Sequence, residues 1–171
     1  AGVHITANFK GSTNIYIANA DGTGIVKLTN DTNQDNQLPS WSPDGRQLVF
    51  MSDRDTDNRT KLWVVNTDGS GLRKLTDVHN SQPGYYDDLY PSWSPDGKRI
   101  VFLGARDFNG TRDCNKVNCE EISTVSSVDG SDERQLTNDL NTSLYTFPRW
   151  SHDGTQIVFT KHLSTIQDIV N

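Results

Sequence analysis

Apolar residues come in short dense runs set between polar stretches rich in Gly, Asn, Asp, Ser and Thr. Leu48-Val49-Phe50-Met51, Ile100-Val101-Phe102-Leu103 and Ile157-Val158-Phe159 are apolar at consecutive positions, as befits strands covered on both faces. Each run follows the same sentence: Leu-Pro-Ser-Trp-Ser-Pro-Asp-Gly at 38–45, Tyr-Pro-Ser-Trp-Ser-Pro-Asp-Gly at 90–97, Phe-Pro-Arg-Trp-Ser-His-Asp-Gly at 147–154. A second run, such as Lys-Leu-Trp-Val-Val-Asn at 61–66, leads into Asp-Gly and a short segment ending Leu-Thr. No stretch carries helical periodicity. The pattern predicts four short strands per unit: a (the Pro-Ser-Trp segment), b (the dense run), c (the second run) and an outer, half-exposed d carrying Leu28, Leu75 or Leu136.

Four-stranded units at a period near 50 residues predict an all-β fold of propeller blades. The units run as a partial blade over 1–29, blades over 38–76 and 90–137, and a partial blade over 147–171. The first unit has lost strand a: Val-His-Ile-Thr-Ala-Asn-Phe at 3–9 reads as its strand b, followed by c and d. The last has a, b and a c strand over 166–171. That is about fourteen strands, or about three and a half blades, fewer than the roughly four to eight with which propellers close. Such a domain, 1–171, is not closable by one chain. Either it is part of a longer propeller, or copies of it join head to tail into a ring or a filament.

Turn chemistry agrees. In Ser-Pro-Asp-Gly the proline presets φ, Asp tolerates the third position, and Gly takes the positive φ that follows a type I turn. Asp21-Gly22, Asp68-Gly69 and Asp129-Gly130 turn c into d in a similar way, and the tryptophans read as packing between blades.

The Pro-x-Trp-Ser-Pro-Asp-Gly segments, Ser52-Asp53-Arg54-Asp55, and Asn66-x-Asp-Gly-Ser-Gly with Leu75-Thr76 resemble the TolB-like β-propeller repeat, a relative of the WD-type repeat, over nearly the whole chain. The resemblance implies the fold. Functions in such propellers range from protein docking in the bacterial envelope to accessory domains of peptidases and lyases.

Loop lengths vary on one face only. Trp to Asp of the a–b turn is three residues in every unit, and Asp of the c–d turn to Thr of Leu-Thr is eight. The d–a gap runs from 12 to 17 residues (Thr29 to Trp41, Thr76 to Trp93), and the b–c connection grows from 16 to 25. In an up-and-down blade these two connections share a face, and variable loops on a rigid scaffold are where binding usually lives. The loop Asn80–Tyr90 brings Tyr85, Tyr86 and Tyr90 to that face, and the same d–a connection carries His79, Asp87 and Asp88. Four Asn-x-Ser/Thr sequons, at Asn30, Asn58, Asn109 and Asn141, lie there too and are glycosylation candidates in a secreted chain.

Charge and chemistry narrow the classes. The net charge of −6 and the lack of a basic block argue against nucleic acid and anionic membrane surfaces, and no apolar run is long enough to span a membrane. Cys114 and Cys119, with no second ligand pair nearby, read as a local disulfide rather than half a metal site, which favours an extracellular, cell-surface or periplasmic setting. Asp53-x-Asp55-x-Asp57 is a weak calcium candidate that fails the EF-hand pattern, since Asn58 stands where Gly is needed and Val64 where the bidentate Glu belongs. His79 with Asp87 and Asp88 is the one cluster with a base and carboxylates. No nucleophile elbow or His-Glu-x-x-His helix occurs. The sequence therefore predicts a non-enzymatic interaction module without a cofactor, partnered by copies of itself or by another protein.

Overall fold

The structure, a computed structural model, describes residues 12–55, 59–76, 87–105, 120–138 and 143–163. They are all-β, with twelve strands and no helix. In chain order these are β1 (Tyr16–Ile17), β2 (Val26–Lys27), β3 (Asn36–Trp41), β4 (Gln47–Ser52), β5 (Lys61–Asn66), β6 (Arg73–Lys74), β7 (Asp88–Trp93), β8 (Arg99–Ala105), β9 (Glu120–Ser126), β10 (Arg134–Gln135), β11 (Ser143–Trp150) and β12 (Ile157–Leu163). β3-β4-β5-β6 and β7-β8-β9-β10 are complete antiparallel blades; β1-β2 supply c and d of the first unit, β11-β12 supply a and b of the last. The strands expected at 3–9 and 166–171 lie outside the described residues.

The core is three seams between blades, as the doubly apolar b strands require. Along β4, Leu48 and Phe50 face back to Ile15 and Leu28, while Val49 faces forward to Trp93, Ile100 and Phe102. Along β8, Ile100 and Phe102 face back, and Val101 and Leu103 face forward to Tyr145 and Trp150. Each such buried side chain contributes about 1.5–3 kcal/mol relative to exposure.

Strand a begins earlier than the Pro-Ser-Trp segment, at Asn36, Asp88 and Ser143. A β-bulge makes the extension possible: the register shifts between Gln37 and Ser40, Leu89 and Ser92, and Thr146 and Arg149. In each bulge the residue before proline takes left-handed backbone: Leu38 (φ 50°), Tyr90 (φ 56°) and Phe147 (φ 54°). Asp88 and Tyr90, expected in a loop, are therefore strand residues. Asp88 is buried because its pairing with Gly104 carries it under the blade, and Tyr90 packs against Phe147 with ring centroids 4.4 Å apart and planes inclined at 51°.

The tryptophan expectation divides. Trp93 is 8 % exposed and Trp150 packs against the third seam, but Trp41 is 51 % exposed, since the first unit presents no described a or b strand to its leading side.

Candidate functional site

On the tight-turn face each Ser-x-Asp-Gly folds as expected. Gly45, Gly97 and Gly154 N–H donate to the carbonyls of Ser42, Ser94 and Ser151 at 2.9, 2.9 and 3.0 Å, with φ of 69°, 74° and 72°. Losing proline to His152 leaves the turn intact. The serine has a role that turn statistics did not show. Its hydroxyl donates to the turn carboxylate (Ser42 to Asp44 at 2.7 Å, Ser94 to Asp96 and Ser151 to Asp153 at 2.6 Å) and accepts the N–H of Gln47, Arg99 or Gln156 at 2.9 Å. The fixed Ser-x-Asp spacing in all three units was the available signal. The hydroxyl bond, then the backbone N–H two residues on, hold the Asp44 and Asp96 carboxyls below their usual range and bring Asp153 to about 2.

Consecutive turns leave equivalent clefts between them. One of about 550 Å³ is lined by Pro43, Asp44, Arg73, Trp93 and Asp96, and one of about 500 Å³ by Pro95, Asp96, Arg99, Trp150 and Asp153. Arg73 crosses the seam to donate to the Ser127 carbonyl at 2.8 Å.

On the variable-loop face the described residues mostly lock blades together. Asp35 Oδ1 accepts the Thr13 N–H at 3.0 Å, and Asp87 Oδ1 accepts the Thr60 N–H at 2.8 Å; Asn36 and Asp88 N–H return bonds to the same threonines' carbonyls at 3.1 and 2.9 Å. This clamp from strand a to the start of the preceding strand c was legible only as an Asp six residues before Trp41 and Trp93. Leu144 holds that place in the last unit.

Arg54 is the hub of the Ser-Asp-Arg-Asp segment. It donates to Ser52 Oγ at 3.1 Å, to Asp31 Oδ2 at 2.9 Å and to Asn36 Oδ1, and its guanidinium lies 5.3 and 5.0 Å from the ring centres of Phe50 and Trp63. Burial lowers its pKa, against the opposing charges of Asp31 and Asp53. It ties the first unit's d–a loop to the second blade.

Of the calcium candidates, Asp53 accepts the Asp35 N–H at 2.7 Å and Asp55 pairs with Lys74 at 2.8 Å; Asp57 lies outside the described residues. Among the described residues no group of three His, Cys, Asp or Glu is placed to hold a metal. Burial, and secondarily the charge of Asp87, raise the Glu120 carboxyl above its usual range. Asn30 is exposed, its side-chain oxygen accepting from Lys27 Nζ at 3.1 Å. His79, Tyr85, Tyr86, Cys114, Cys119, Asn58, Asn109 and Asn141 lie outside the described residues.

Repeated blades, repeated turns and repeated seams are matched by the model of the TolB beta propeller domain over residues 2–123. The chain belongs to that family. Among solved structures, this TolB-family chain is similar to a putative TolB from Agrobacterium tumefaciens: 26% identity, 90% of this chain and 51% of that one, TM-score 0.63. It is also similar to TolB from Acinetobacter baumannii (18% identity, 85% and 31% of the two chains, TM-score 0.61). A chain of a nidogen/laminin complex (18%, 85% and 48%, TM-score 0.58) shares the fold. The chain thus spans about half the length of the Agrobacterium protein. No curated protein sequence matches it significantly. No helix among the described residues is long and apolar enough to cross a membrane.

Proposed function

We propose that this TolB-family chain is a non-enzymatic docking and structural module acting outside the cytoplasm, whose open blade faces are completed head to tail by copies of itself. One observation carries the reading. Val158 is 68 % exposed, whereas its counterparts Val49 and Val101, one and two blades earlier in the repeat, are 0 % exposed. An apolar seam surface made twice internally is made a third time with nothing against it among the described residues. Each completed copy would present the variable-loop face, with His79, Tyr85, Tyr86 and Asp87, to a protein partner. The sequon at Asn30, with those at Asn58, Asn109 and Asn141, would carry glycans, and Cys114–Cys119 would close a local disulfide.

Native mass spectrometry with negative-stain imaging tests this. Closed dimers or filaments are the expected outcome, and a stable monomer at tens of micromolar would overturn self-association. A mass above that of the sequence would report glycans, and thiol alkylation before and after reduction would report the disulfide.

A second reading has its own support in the half-length match to the Agrobacterium protein. There the missing blades come from the same, longer polypeptide, either a docking propeller or the accessory domain of a peptidase or lyase. Intact mass of the protein from its native source separates the two.

A further inference from the structure

The tight-turn face carries a cleft of about 550 Å³ between the two complete blades, β3–β6 and β7–β10. Its walls are preformed. The a–b turns abut where a Cβ on Gly97 would lie 3.8 Å from Pro43 Cγ. Arg73 is pinned across the seam by the Ser127 carbonyl. Ser127 is held in turn, its hydroxyl donating to the Gly97 carbonyl at 2.6 Å and its N–H to that of Lys98 at 2.9 Å.

Polar groups in this cleft have bonding capacity that the chain leaves unused. In Asp44 and Asp96 both internal hydrogen bonds, from the serine hydroxyl and from the N–H two residues on, go to Oδ1. Oδ2 receives none among the described residues, and both side chains are exposed. Arg73 spends one N–H, on Ser127. Trp93 lines the cleft at 8 % exposure, and its buried Nε1 has no acceptor among the described residues, an uncommon and costly state for a donor. Val128, 75 % exposed, stands at the rim.

Unmatched acceptors, unmatched donors and apolar walls of Pro43, Pro95 and Val128 suit a peptide with a cationic side chain. The net charge of −6 draws such a segment in. A sugar fits less well, since the burial of Trp93 leaves no ring face to stack on, and an anion would meet both carboxylates. The next cleft repeats half of the arrangement: Asp96 lines both clefts and Asp153 follows, but Arg99 is spent there on Thr124 and Asp132.

We propose that the cleft between Pro43 and Pro95 binds an extended segment of a basic protein partner. A Lys or Arg side chain lies between Asp44 and Asp96 with its stem along Val128, and a main-chain carbonyl accepts from Arg73 and Trp93. A second basic side chain enters the next cleft, between Asp96 and Asp153. This site rests on the docking part of the proposed function and not on self-association, and it lies on the face opposite the variable loops.

The test offers the full chain capped decapeptides carrying two Lys, two Arg, two Glu or two Gln among randomised positions, with binding followed by NMR. Lys and Arg peptides should be preferred and should shift the Trp93 indole N–H and the Gly97 amide. The Trp63 indole N–H, also buried without an acceptor but lining neither cleft, should stay in place. Asp96→Asn, whose amide oxygen can keep both turn bonds, should weaken binding at least about fivefold. Asp21→Asn, the same charge loss in a turn outside the clefts, should not. No preference for Lys or Arg, a Trp93 resonance that stays put, or equal losses in the two variants would overturn the site. Peptides that shift only residues of the variable-loop face would overturn it too, while leaving the docking reading standing.

Discussion

Glycine is written into every turn of this chain, yet its positions do different things. Gly45 and Gly130 both have positive φ (69° and 74°), but a Cβ at 45 meets open space while one at 130 strikes the Leu75 carbonyl of the neighbouring blade. Left-handed backbone alone costs an L side chain roughly 1–2 kcal/mol. Gly45→Ala should therefore lower the melting temperature of the monomeric unit by a few degrees, and Gly130→Ala by clearly more, because the seam must open as well. Equal shifts by differential scanning calorimetry would show that Gly130 is not a seam residue. The Asp-Gly turns were legible from sequence; this difference was not, because it depends on which backbone the turn lies against.

The turn carboxylates respond to acid. Their folded pKa values lie below the usual 3.8, Asp153 near 2, so their hydrogen bonds stabilise the fold above the unfolded value and are lost as pH falls from about 3.8 through the lowered values. Ser151→Ala removes the largest cause at Asp153, and NMR titration should find that carboxyl moved back toward 3.8. Glu120 has the opposite sign: its raised pKa means that its ionisation disfavours folding as pH rises above about 4.5. Glu120→Gln should then stabilise the chain at pH 7 more than at pH 4.

At the scale of elements, strands b and c were plain because consecutive apolar residues followed by Asp-Gly leave little else to build. Strand a was read too short. Its alternation breaks at Leu38, Tyr90 and Phe147, where a bulge places a large residue at positive φ before proline, a conformation that hydrophobic patterning does not signal. The bulge makes a separable prediction. Leu38 is 37 % exposed and belongs to none of the three seam clusters, so Leu38→Asn, which tolerates left-handed backbone, should raise the melting temperature slightly. Tyr90→Asn should lower it, since Tyr90 packs in the third seam and on Phe147. The same sign for both would mean that the bulge is relaxed in solution.

Across the whole molecule, the sequence announced repetition, while the variable loops that make up most of the candidate binding face carried residue types without placing them. Asp88 is the instructive case: a carboxylate read as loop chemistry is buried in β7, and only its register shows that. Repetition also dictates how stability is distributed. Among the described residues the interior blades are held by a seam on each side and the first and last units by one, and stability in such stacks is close to a sum of units and their neighbour contacts. Phe102, fully buried, should cost roughly 3–5 kcal/mol as Phe102→Ala, whereas its repeat counterpart Phe159, 39 % exposed, should cost distinctly less. Native-state hydrogen exchange should accordingly be slowest in β4, β5, β8 and β9 and fastest in β1 and β2 in dilute monomer. Raising the concentration then discriminates among completions. If copies join head to tail, protection must rise selectively in the first and last units, at β1, β2, β11 and β12, while the interior stays as it was; protection that ignores concentration leaves the missing blades to a longer chain.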